Sequence, residues 1–328
     1  MGGAAMRRFA GMLFVVVVLI VLAQGVTLAA SPVKVGAVLK TLSNPFWVAM
    51  QQGLIDAATE RGVQLDIAAV PTEQDVELQL NTLETMLLRR YDVLLVSPIT
   101  AANLLPGLVQ ATRQGIPIVD LDGNLVLDEA AKAGVKVYSQ IASNNFEAGR
   151  MAARYLISRT GGKGRVIAIE GISGNPTGAA RVRGFTETIK AEAPNMQVVA
   201  TYAGDWDRLK AANIASDALT AYPDLVGVYC ANDTMALGVV ETVFSLGLQK
   251  QVTVIGTDGT SEARDSILQG RLSATVAQLP YLMGRMAIET AVKIKNGERV
   301  PLRQDVPLLL MTREVLQTGT HDLLKYIR

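Results

Sequence analysis

Asp122 and Asp258 each end an apolar run and are each followed by glycine, in I-V-D-L-D-G and V-I-G-T-D-G. Other polar residues stand at the same kind of junction: Lys40 and Asn44 after V-K-V-G-A-V-L, Arg181 beyond R-V-I-A-I-E-G, Asn232 and Asp233 after L-V-G-V-Y-C-A, and Gln278 after S-A-T-V-A. So do both tryptophans of the chain, Trp47 directly behind Phe46 and Trp206 after V-A-T-Y-A-G-D. Carboxylates, amides and a guanidinium can each hold a hydroxyl, which is donor and acceptor at once, in a two-pronged grip. Aromatic planes accept the apolar C–H face of a sugar ring. The chemistry within reach of this set is recognition of a neutral polyol.

Singly, each residue has a plainer reading. Asp-Gly marks a turn, Asn44-Pro45 opens a helix, Asn232 and Asp233 can cap one, either tryptophan can cover a core edge, and Arg181 can sit in a surface ion pair. Their joint placement at strand ends in both halves is what favours a ligand site. Enzyme signatures fit less well. E-G-I-S-G-N-P-T-G (170–178) follows a strand, but its glycines match neither the dinucleotide fingerprint nor a P-loop. Ser173 stands in G-I-S-G rather than in a nucleophile elbow, and the single histidine, His321, lies near the C-terminus, so a hydrolase triad is not expected. Asp122 and Asp258 could be imagined as a glycosidase pair; a neighbouring Arg181 is expected to lower the pKa that a general acid needs raised. One cysteine, Cys230, and one histidine offer no structural zinc set, and no metal or other cofactor is expected.

The elements that must position these residues alternate. Ten short apolar runs, from V-K-V-G-A-V-L to S-A-T-V-A, read as parallel strands buried on both faces. Helical spacing lies between them, as in Val76, Leu80, Leu83 and Leu87, or Met283, Ala287, Ala291 and Ile294. This order predicts an α/β chain, and ten strands fit two doubly wound parallel-sheet lobes better than one sheet. The halves echo each other in their two strands ending in Asp-Gly. No low-complexity linker divides them, so the crossings should be short, at Tyr138 to Ile141, Gln278 to Pro280 and Asp305 to Pro307, making a three-segment hinge. The expected lobes are 33–139 with 279–305, and 140–278 with 306–328.

At the N-terminus Arg7 and Arg8 precede an apolar run from Met12 to Ala23 and then V-T-L-A-A-S, the pattern of a secretory signal peptide over residues 1–30. A retained membrane anchor is the alternative, if the run extends through Gln24 and Gly25. No cysteine stands near the cut for a lipid anchor, so the periplasm is the expected compartment. With a net charge of +1 and no basic run, nucleic acid is not an expected partner.

With those residues in hand, the chain resembles the periplasmic sugar-binding proteins of the ribose-binding type, the type I solute receptors of ABC importers. The segments that carry the resemblance are L-K-T-L-S-N-P-F-W, I-V-D-L-D-G, I-A-S-N-N, A-G-D-W-D-R, Y-C-A-N-D-T-M-A-L-G, V-I-G-T-D-G and S-A-T-V-A-Q-L-P. Within the family, L-K-T-L-S-N-P-F-W and Y-C-A-N-D-T-M-A are most similar to the D-allose-binding branch. The resemblance implies the type I periplasmic binding fold, a cleft that closes on a monosaccharide, and a permease partner in the inner membrane for a monomeric receptor that is not an enzyme. It implies sugar contacts at Lys40, Asn44, Phe46, Trp47, Asp122, Arg181, Trp206, Asn232, Asp258 and Gln278, with Asn175 as a further contact. Lys40 replaces the serine usual in ribose binders, and Gly123 stands where the family usually has a charged side chain. Alternatives are a sensor subunit for chemotaxis or signalling, the core of a LacI-type regulator, and a glycoside-processing enzyme.

Overall fold

The computed structural model describes residues 32–328, and the segment expected to be a signal peptide, 1–30, lies outside them. The apolar runs form β1 (Lys34–Thr41), β2 (Gln64–Val70), β3 (Val93–Val96), β4 (Ile118–Leu121) and β5 (Val137–Ser143) in the first half. The second half holds β6 (Lys163–Glu170), β7 (Asn195–Ala203), β8 (Leu225–Cys230), β9 (Thr253–Asp258) and β10 (Ala274–Ala277). Two further short strands follow, β11 (Arg303–Val306) and β12 (Leu309–Thr312).

They make two six-stranded sheets, ordered β11-β5-β4-β3-β1-β2 and β12-β10-β9-β8-β6-β7. Pairing is parallel except where β12 runs antiparallel to β10. The two orders are the same pattern repeated, as expected of two doubly wound lobes. In each, the strand order reverses next to the first strand of the half, between β1 and β3 and between β6 and β8. Such switch points open a crevice at the C-terminal strand ends.

Each lobe is braced by a helix that enters from the other half. Helix Pro280–Lys295 packs against Pro45–Arg61 on the first sheet, and Asn145–Thr160 against Pro176–Glu192 on the second. The contacts are backbone-close: a Cβ on Gly149 would lie 1.9 Å from the Arg181 carbonyl oxygen, and one on Gly53 would lie 2.0 Å from that of Tyr281. The first of these contacts fixes the height of Arg181 above its sheet.

The chain changes sheets three times: between Ser143, which ends β5, and the helix at Asn145; at residues 278–279; and between Val306 and Leu309. The expected first crossing, Tyr138 to Ile141, falls inside β5. Polar Ser139 and Gln140 suggest a strand end there, yet both are buried. Ser139 Oγ donates to the Pro301 carbonyl at 2.8 Å and Gln140 Nε2 to Asp120 Oδ2 at 2.7 Å, so the strand runs on to Ser143. At the second crossing the buried Leu279 is held left-handed, with φ 57°, directly before Pro280.

Candidate ligand-binding site

A small cavity lies between the two sheets' C-terminal edges. Lys40, Asn44, Phe46, Trp47, Glu73 and Asp122 line it from the first lobe, and Thr177, Arg181, Trp206, Asn232, Asp258 and Gln278 from the second. All ten principal residues expected from the sequence meet there. Except for Asn44 and Trp206, which are half-buried, each of the ten is at least 95% buried.

The halves of the cavity are chemically alike. On the first side, Lys40 Nζ sits 5.0 Å from the centre of the Trp47 ring and 3.8 Å from Asp122 Oδ2. On the second, the Arg181 guanidinium sits 5.8 Å from the Trp206 ring, and its Nη1 lies 3.7 Å from Asp258 Oδ1. Each lobe thus presents an indole, a cation and a carboxylate. Both carboxylates sit at positive φ, Asp122 at 73° and Asp258 at 138°, as does Trp206 at 62°. Left-handed backbone at a bulky residue costs on the order of 1–3 kcal/mol and persists where surrounding structure over-determines it.

What over-determines it is visible. Asp233 does not face the cavity. Its Oδ2 accepts the amides of Gly259 and Thr260, both at 2.8 Å, and its Oδ1 accepts Thr275 Oγ1, so it ties down the turn that carries Asp258. Gln79, buried on a helix face expected to be apolar, donates to the carbonyls of Leu39 and Ser97 and accepts the Ile99 amide. It stitches the ends of β1 and β3 together beside Lys40. Two glycines of E-G-I-S-G-N-P-T-G also gain a role: Gly171 would bring a Cβ to 2.0 Å from Trp206 Cζ2, and Gly178 to 3.0 Å from Cη2. The loop is a seat for an indole, where a phosphate loop would present free amides.

Capping and lining coincide in two asparagines. Asn44 Oδ1 accepts the Phe46 amide at 3.0 Å and Asn232 Oδ1 accepts the Met235 amide at 2.9 Å, each capping a helix and leaving its Nδ2 for a ligand. Arg181 donates through Nε to Asn145 Oδ1 at 2.8 Å and through Nη1 to the Ala231 carbonyl at 2.6 Å, which leaves donors uncommitted. Gln278 Nε2 donates to Asp258 Oδ1 at 2.7 Å. Asp122 Oδ1, Gln278 Oε1 and Trp206 Nε1 are buried with no partner among the described residues.

Two expectations are revised. Asn175 does not line the cavity; its Oδ1 caps the helix Pro176–Glu192 and its Nδ2 reaches across to the Ile99 carbonyl of the other lobe at 3.4 Å. Arg181 does act to lower the Asp258 pKa, but burial outweighs it and holds that carboxyl well above its usual range, and burial raises Asp122 as well. Gly123 has φ 75°, and a Cβ there would lie 2.8 Å from the Ala142 Cβ, so a side chain would press on the hinge strand. Glu73 and Thr177 were not anticipated. Glu73 follows β2 and was within reach of the same strand-end rule; Thr177, inside N-P-T-G, carries no signal separable from the helix start.

A profile of the periplasmic binding protein domain matches residues 35–299. The chain belongs to this family. It is 39% identical over 278 residues to the D-allose-binding periplasmic protein of Escherichia coli (strain K12), spanning 84% of this chain and 89% of that protein. It is 33% identical to the ribose import binding protein of Bacillus subtilis (strain 168), spanning 85% and 87%. The crystal structure of an ABC transporter periplasmic solute-binding protein from Actinobacillus succinogenes 130z, with bound D-allose, superposes with a TM-score of 0.84 at 32% identity over 87% of this chain and 99% of that one. The relatives are sugar-binding receptors of ABC importers, and the fold expected from the sequence, two parallel-sheet α/β lobes, is theirs.

Proposed function

We propose that this periplasmic binding protein is the solute receptor of an ABC sugar importer and closes on one neutral monosaccharide, D-allose or a related hexose or pentose. The observation that carries the reading is the set of buried polar atoms without protein partners around one small cavity, two acceptors (Asp122 Oδ1, Gln278 Oε1) and one donor (Trp206 Nε1), set beside two indoles. An unpaired buried polar atom costs about 1–3 kcal/mol. A polyhydroxylated ring supplies donors and acceptors together, so it stabilises the closed arrangement in which both lobes contribute. The indoles take the ring's C–H faces.

The same geometry favours binding over hydrolysis. Asp122 and Asp258 each stand beside a cation, Lys40 at 3.8 Å and Arg181 at 3.7 Å, an arrangement that grips hydroxyls from both lobes. The relatives' compartment and the signal-peptide pattern support a periplasmic location, and their importer membership supports a permease partner for the closed face. A thermal-shift panel over D-allose, D-ribose, D-psicose, D-xylose and D-glucose tests the reading. At a hundred times Kd a ligand specific for the native state adds about 2.7 kcal/mol, a rise of about 4 °C for a chain of this size. If no neutral monosaccharide raises the melting temperature, the reading fails.

A further inference from the structure

Glu73 is the one ionisable residue lining the cavity that the strand-end set omitted, and its two oxygens are divided between two neighbours. Oε1 accepts the Trp47 indole N–H at 3.0 Å, and Oε2 lies 3.8 Å from Lys40 Nζ. Lys40 has Asp122 Oδ2 at the same 3.8 Å on its other side. At these separations the ammonium is neutralised by two carboxylates without spending a hydrogen bond on either, so its N–H groups remain for a ligand. The second cation, Arg181, already has Asp258 at 3.7 Å. Each cation in the cavity therefore has a carboxyl group beside it, and Lys40 has two.

We propose that Glu73 is a specificity-determining residue: it sets the plane of Trp47 through the indole N–H, and its charge denies an anionic sugar the Lys40 counter-ion that it would need. The inference rests on the neutral-monosaccharide reading and assigns the rejection of uronates and sugar phosphates to Glu73 in the first lobe. A merely structural Glu73 would affect all ligands alike. A selecting Glu73 changes the ratio between neutral and anionic ones.

Two matched pairs test this by calorimetry: D-allose with D-alluronate, which adds a C6 carboxylate, and D-ribose with ribose 5-phosphate. The wild type should bind at least one neutral sugar and its anionic counterpart at least 100-fold more weakly. Glu73→Gln keeps an oxygen for the indole but removes the charge, so the ratio of neutral to anionic affinity should shrink at least tenfold, whatever the change in neutral-sugar affinity itself. Glu73→Ala removes both; in a Trp206→Phe background the Trp47 emission should shift, and neutral-sugar affinity should fall about tenfold. An unchanged neutral-to-anionic ratio in Glu73→Gln overturns the selective role, and unchanged Trp47 emission in Glu73→Ala overturns the positioning role. If the wild type binds neither neutral sugar, the receptor reading fails instead, and the emission arm still reports whether Glu73 holds the indole.

Discussion

Replacing Gly171 with alanine should weaken sugar binding without unfolding the protein. The added Cβ would lie 2.0, 2.1 and 2.3 Å from Cζ2, Cε2 and Cη2 of Trp206. Carbon atoms in ordinary contact sit about 3.5–4.0 Å apart, so the indole must retreat by roughly 1.5 Å. Gly171 is not held at positive φ, so alanine is conformationally acceptable there. The retreat removes a stacking face worth about 0.5–1.5 kcal/mol and misaligns the Trp206 N–H, a hydrogen bond worth about 1 kcal/mol. Together that is about 2 kcal/mol, or roughly 30-fold in Kd. Calorimetric titration reads the affinity, a ligand-free melt reads the fold, and emission in a Trp47→Phe background reads the indole's surroundings. An affinity within twofold of wild type would refute the clamp. A melting temperature lowered by 10 °C or more would make Gly171 a folding residue instead of an indole seat.

Other consequences are as direct. Asp258→Ala strands Gln278 Nε2 and leaves Arg181 Nη1 without its carboxylate while deleting a ligand acceptor, so sugar affinity should drop more than 100-fold by calorimetry; a loss below tenfold contradicts the assignment. Asp120 is fully buried behind Asp122, and burial raises its carboxyl to about 8. A carboxyl raised in the native chain holds its proton there more tightly than in the unfolded one, so its penalty is absent below the usual value of 3.8 and grows as pH climbs toward about 8. Asp120→Asn should accordingly raise the melting temperature at pH 8 and change it little at pH 4; a gain larger at the acid end refutes the sign. Asn175→Ala should lower the melting temperature through the lost cap, by about 1 kcal/mol, and weaken sugar affinity a few-fold through the lost contact to Ile99. Equal affinity with and without Asn175 would show that this bond does not favour closure.

The fold was readable because the strands inside its two sheets are short apolar runs that are largely buried, while only the edge strands β2 and β7 among the ten are half-covered. β11 and β12 escaped for the opposite reason: R-Q-D-V is a charged, largely exposed edge, and L-L-M-T is four residues long and only half covered. The end of β5 was misread because Ser139 and Gln140 are polar, and sequence does not show that each has a buried partner waiting at Pro301 or Asp120. The cavity was readable because topology puts strand ends together. Its supports were not: Gln79 and Asp233 act through backbone groups distant in sequence, and the purpose of Gly171 appears only once Trp206 is laid over it. The direction of the Asp258 shift was missed because burial cannot be weighed against Arg181 without coordinates.

The central claim is that one neutral sugar ring sits between Trp47 and Trp206, and a crystal structure of the protein at saturating D-allose or D-ribose tests it most directly. The ring should lie in the cavity between the sheets, with hydroxyls on Asp122 Oδ1 and Gln278 Oε1 and within reach of Lys40, Arg181 and Asn232. A ring bound elsewhere, or one in the cavity whose hydroxyls leave those two oxygens unpaired, would contradict it.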